Sequence, residues 1–93
     1  MTTVYVIEGR RVTGPGGFWR AVGEAVNGPG GYFGENRDAF ADCLSGGFGT
    51  PEDGDFVLEW RDHDVSRRAL GPAFFDELVD IIDERAPGAL RLR

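Results

Sequence analysis

Tyr32-Phe33-Gly34-Glu35-Asn36-Arg37-Asp38-Ala39-Phe40-Ala41-Asp42-Cys43-Leu44 reads as a glycine turn that becomes a short helix. Asn36 is placed to cap it, because its side-chain oxygen accepts a hydrogen bond from an amide that the first turn of a helix leaves free. Asp38 then falls where the positive end of the helix dipole favours an anion. Asp42 gains nothing from that end. It follows Asp38 by one turn, so the two carboxylates share a face and repel by roughly 0.2–0.5 kcal/mol. On the other side Phe40, Cys43 and Leu44 form a narrow apolar stripe suited to docking on a core. Such an element turns negative charge outward on a rigid support, a surface fitted to read a positive partner.

Upstream, Asn27-Gly28-Pro29-Gly30-Gly31 is loop sequence, since glycine permits left-handed turns and proline fixes φ. Before it, Phe18, Val22, Ala25 and Val26 recur at helical spacing with Trp19 on the flank, and Pro15 suits a helix start; this predicts a helix over residues 15–26. Thr2 to Glu8 is rich in β-branched and aromatic side chains and reads as a strand covered on both faces, followed by a turn at Gly9-Arg10-Arg11.

Downstream, Ser45-Gly46-Gly47 stops the acidic helix, with glycine suited to a left-handed cap. Phe48 reads as a plug folding back on the core, and residues 49–55 as an exposed acidic loop with too little apolar surface to order strongly. Phe56 to Trp60 is a second strand. Asp64 or Ser66 caps a short helix through Val65, Ala69 and Leu70. After Gly71-Pro72 comes the most periodic segment: Phe74, Leu78, Ile81 and Ile82 on one face, Phe75 and Val79 beside it, and Asp76, Glu77, Asp80, Asp83 and Glu84 opposite. Pro87-Gly88 ends it, and Ala89 to Arg93 is long enough for a last strand. Three strands separated by helices predict an α/β fold, a three-stranded parallel sheet packed with about four helices, because parallel neighbours need long crossovers.

Ninety-three residues suit one domain, spanning 1–93, with a single thin core. The net charge of −6 is unevenly spread: the first third is nearly neutral, residues 35–84 are strongly acidic and residues 85–93 are basic. That pattern argues against nucleic acid as a partner, which needs a basic surface to neutralise phosphates, and permits steering toward a basic protein. One cysteine allows neither an internal disulfide nor a cysteine metal cluster, and Cys43 beside Leu44 reads as a core residue. Neither a signal peptide nor an apolar run of membrane-spanning length is visible, so the expected location is cytoplasmic and no membrane partner is expected.

The Tyr32 to Gly46 run, with Gly-Glu-Asn, Asp-Ala and Asp-Cys-Leu at this spacing, resembles the barstar family of intracellular ribonuclease inhibitors. Val57-Leu58-Glu59-Trp60-Arg61 is a second match, and the element order fits from the first strand to the last. The resemblance implies a one-to-one inhibitor of a basic, guanyl-preferring microbial ribonuclease, working by placing the acidic helix and its loop in the enzyme's cationic cleft. It implies that Asp42 stands in for substrate phosphate, that Asp38 meets the enzyme's basic residues, and that Tyr32 is an aromatic contact. Gly34 and Asn36 match the loop that sets the approach. On the last helix Asp83 matches a further acidic contact, with Glu84 one residue away. Three departures stand out: Ala41 and Gly47 each occupy a position where the family pattern has tryptophan, and the 47–55 segment is longer and carries Glu52, Asp53 and Asp55.

Enzymatic readings fare poorly. His63, between Asp62 and Asp64, lacks both a nucleophile and a second nitrogen ligand. Asp38 and Asp42 lack a substrate-orienting set, so no catalytic residue, small-molecule substrate, cofactor or metal is expected. The competing expectation is a barstar-like module that keeps the acidic face and binds a different basic protein or nuclease toxin.

Overall fold

A computed structural model describes residues 1–93. The chain runs β1 (Thr3–Glu8), a 3-10 turn (Gly9–Arg11), α1 (Pro15–Asn27), α2 (Arg37–Leu44), β2 (Phe56–Arg61), α3 (His63–Leu70), α4 (Pro72–Arg85) and β3 (Leu90–Leu92). The sheet order is β1-β2-β3, and both pairings are parallel, with Val4 opposite Val57 and Leu58 opposite Leu90. Strand and helix order are therefore those expected from the periodicities.

The central position belongs to β2. Phe56, Val57, Leu58 and Trp60 are all buried, as a strand covered on both faces requires. The same expectation fails for β1. It is an edge strand in which only Ile7 is fully buried, while Val4 stands 48% exposed. Apolar β-branched residues reflect strand preference there rather than two-sided cover.

Aromatic rings link the layers. Phe40 of α2 meets Phe18 of α1 edge-on at 5.5 Å; Phe18 lies 4.9 Å from Trp60 of β2; and Trp60 lies 5.0 Å from Phe75 of α4. Pairs in such geometry contribute about 0.5–1.5 kcal/mol each beyond the area they bury. The buried line of α4 is Phe75, Leu78 and Ile82, with Phe74, Val79 and Ile81 half-buried at its margins. The helix is thus rotated slightly from the Phe74-centred face that spacing suggested.

Neither Asp64 nor Ser66 caps α3. The cap position before His63 is held by Asp62, whose backbone is left-handed (φ 49°) and whose side chain pairs with Arg10 at 3.1 Å instead of a helix amide. Ser66 is fully buried: its hydroxyl accepts from Trp60 Nε1 at 3.0 Å and donates to the Gly9 carbonyl at 2.8 Å. Burying the indole requires that acceptor, because an unpaired N–H in the core keeps its desolvation cost.

Replacing Ser66 with Ala leaves the Trp60 N–H and the Gly9 carbonyl without this partner. The expected loss is about 1–3 kcal/mol of stability, read as a lower urea midpoint at unchanged m, with a shifted Trp60 fluorescence maximum.

Candidate functional site

Eight residues are too few for a helix to persist alone in water, so α2 depends on what it docks against. Phe40, Cys43 and Leu44 are buried, and Ala41 is only 9% exposed. The Phe40 ring also lies 5.6 Å from Trp19 and 6.0 Å from Phe33. The start of the helix is fixed as its sequence suggested: Asn36 Oδ1 accepts from the Ala39 amide at 2.8 Å. Gly34 makes the entry possible, for its φ is +95° and a Cβ there would stand 2.7 Å from the Phe40 backbone.

With the apolar side pinned, Asp38 and Asp42 are both exposed on the outside of α2, one turn apart. Tyr32 is 49% exposed at the entrance to the helix. Its phenol is pushed above the usual tyrosine value, first by partial desolvation and then by the negative surroundings of Cys43, Glu35 and Asp42. This electrostatic link puts Tyr32 in the same acidic neighbourhood as Asp42. Burial and the Asp42 charge likewise push the Cys43 thiol up, which makes it an unreactive core residue.

Alongside α2 runs α4. Arg37 pairs with Glu77 and lies 5.9 Å above the Phe74 ring, while Arg85 donates to Ser45 Oγ at 3.3 Å at the far end. The two helices therefore lie side by side in the same sense. Between them a shallow groove is lined by Arg37, Asp38, Glu77, Asp80 and Ile81. Asp83 is exposed on α4 but does not line this groove; Glu84, four residues after Asp80, continues the same line of the helix. The structure thus joins Asp38 to Glu77 and Asp80, which the sequence reading did not single out. Their i, i+3, i+7 spacing with Glu84, beside the Phe74 and Ile81 margin, was the available signal.

The segment after α2 also differs from expectation. Phe48 is no plug: it is 46% exposed, and its backbone carbonyl rather than its ring is what the body of the protein holds, through Asn27 Nδ2 at 2.8 Å. Nor is the 49–55 loop loosely tied. The Asp55 amide donates to Asp53 Oδ1 at 2.9 Å, Thr2 Oγ1 donates to Asp55 Oδ1 at 2.9 Å, and Thr50 is buried. Local hydrogen bonding by aspartate supplies the order that apolar burial does not.

A rigid, exposed carboxylate face of this kind is complementary to a positively charged protein surface. A family model described as Barstar (barnase inhibitor) matches residues 2–90, and the chain belongs to the barstar family, a family of inhibitors and not of enzymes. No curated protein matches the chain at a significant level.

The Tyr32 phenol is expected to ionise above the range of an isolated tyrosine, with Asp42→Asn lowering its pKa. Absorbance titration near 295 nm in a Tyr5→Phe background, where Tyr32 is the remaining tyrosine, reads this directly; an unchanged curve on removing Asp42 breaks the electrostatic link.

Proposed function

We propose that this protein inhibits a basic microbial ribonuclease of the barnase type, one to one, by laying the exposed face of α2 and the loop before it into the enzyme's cationic cleft. The observation that carries this reading is the pair Asp38 and Asp42, held outward by a helix whose other side is locked in the core. Family membership over residues 2–90 supports the choice of partner.

A ribonuclease cleft gathers positive charge around a phosphodiester, and a carboxylate fixed in that place competes for the same groups without offering a bond to break. Asp42 takes the place of the phosphate, and arginine forks on the enzyme give the contact direction as well as strength. Asp38 meets neighbouring basic groups. Tyr32 supplies an aromatic contact at the rim, and Gly34 and Asn36 set the angle at which the loop enters. On α4 the acidic contribution runs from Asp80, in the groove beside Asp38, to Asp83 at the outer margin. No helix is long and apolar enough to cross a membrane. The place of action we assign is the cytoplasm of the cell that makes the nuclease, where any enzyme retained inside threatens that cell's RNA.

Titration of barnase with this protein is expected to abolish RNA cleavage at one equivalent. Asp42→Ala and Asp38→Ala are each expected to weaken binding by about 2–5 kcal/mol, chiefly through faster dissociation. The thermal midpoint of Asp42→Ala should match or slightly exceed the parent's, because the change relieves like-charge repulsion, whereas that of Asp38→Ala should fall slightly, because it also removes an anion from the positive end of α2. Added salt slows association of the parent more than of either variant. Full inhibition by both variants sinks the assignment; absence of any complex with barnase, alongside binding to a different basic protein, marks a module of the same face with another partner.

A further inference from the structure

Tyr32 and Phe48 are the two aromatic side chains that stand exposed, at 49% and 46%. They lie sixteen residues apart on either side of α2, yet one side chain ties both. Asn27, the last residue of α1, donates from Nδ2 to the Tyr32 carbonyl at 2.7 Å and to the Phe48 carbonyl at 2.8 Å. Only the amide nitrogen of a carboxamide can serve two carbonyls at once, so the orientation of Asn27 is determined by its partners.

The fit around that carboxamide is close on both loops. A Cβ on Gly49 would stand 2.1 Å from Asn27 Oδ1, and one on Gly31 would stand 2.6 Å from Asn27 Cβ. Glycine is required at both places for the loops to close on Asn27. Gly46 and Gly47, in contrast, face open space and have positive φ, so the two residues directly before Phe48 place no side chain beside it. A half-exposed phenylalanine gains from burial only when another surface covers it.

We propose that Phe48 is an apolar contact of the ribonuclease-binding face, buried against the apolar border of the enzyme's basic cleft, and that Asn27 is the residue that positions it beside Tyr32. This rests on the reading of α2 as the inhibitory face and extends that face across the loop that follows. Three features on the page favour the nuclease as the occupant. Phe48 is tied through one nitrogen to the backbone of Tyr32; the glycines before it let a partner approach closely; and Glu52, Asp53 and Asp55, all exposed, follow it in the chain and add negative charge suited to a basic enzyme. In protein interfaces a few anchoring side chains that become fully desolvated carry most of the affinity.

The test compares barnase binding by the parent, Phe48→Ala, Phe48→Trp, Asn27→Ala, the Asn27→Ala/Phe48→Ala double variant and Asp42→Ala, with thermal unfolding of each. Phe48→Ala should dissociate about 10–100 times faster, with salt dependence and midpoint unchanged, and Phe48→Trp should stay close to the parent. Asn27→Ala should weaken binding more in the parent than in the Phe48→Ala background, a coupling that a purely structural asparagine would not show. If Phe48→Ala binds like the parent while Asp42→Ala has lost affinity, the role of Phe48 is wrong and the α2 face stands. An equal effect of Asn27→Ala in both backgrounds overturns its positioning role. If Asp42→Ala also binds like the parent, or the parent does not bind barnase, the α2 reading falls and this inference with it.

Discussion

Everything on the acidic side of this protein depends on one ring, Phe40, being fully buried among Phe18, Trp19 and Phe33. Helix α2 has eight residues, a length at which nucleation cost exceeds what its own hydrogen bonds return. Docking supplies the difference. Phe40, Cys43 and Leu44 fix which side of the helix points inward, and Asn36 and Gly34 fix where it begins. With rotation and start both set, the directions of Asp38 and Asp42 follow from the helical repeat alone. A face built this way is already in shape before any contact, so little binding free energy would go into ordering it.

The charge arrangement is less uniform than the sequence implies. Arg37 sits inside the acidic stretch, next to Asp38 in the chain, and its charge opposes attraction of a basic partner. Its guanidinium is turned toward α4, paired with Glu77 and laid over the Phe74 ring. One positive group is thereby matched within the protein, and Asp38 and Asp42 have no ion-pair partner within the chain. The same contact anchors the first turn of α2 to α4, so it serves both charge pattern and packing.

Much of the fold was legible because its signals were local and redundant. Pro15 before an apolar repeat, Asn36 before Asp38, and Gly71-Pro72 between two helices each named a boundary that the structure keeps. What the chain concealed were matters of tertiary environment. Val4 looks like a buried strand residue, and only the sheet order reveals it as an edge. Ser66 looks like a cap and is instead the acceptor for a buried indole, while it donates to a carbonyl fifty-seven residues away in the chain. Asp38 and Asp42 are readable from spacing, yet Glu77 and Asp80 join Asp38 only through the rotation of α4 against α2. Asn27 has the look of loop sequence; its hold on two loops becomes visible only in three dimensions.

The sheet order carries a consequence for how the protein comes into being. Its middle strand, β2, follows α2 in the chain, and β3 arrives last, yet the ring of Phe18 against which Phe40 rests is itself backed by Trp60 of β2. A chain still emerging from the ribosome with β2 inside the exit tunnel lacks the wall behind Phe18, and its acidic segment is a floppy peptide rather than a helix. A copy cut short before β2 therefore lacks the backing that gives the acidic face its shape.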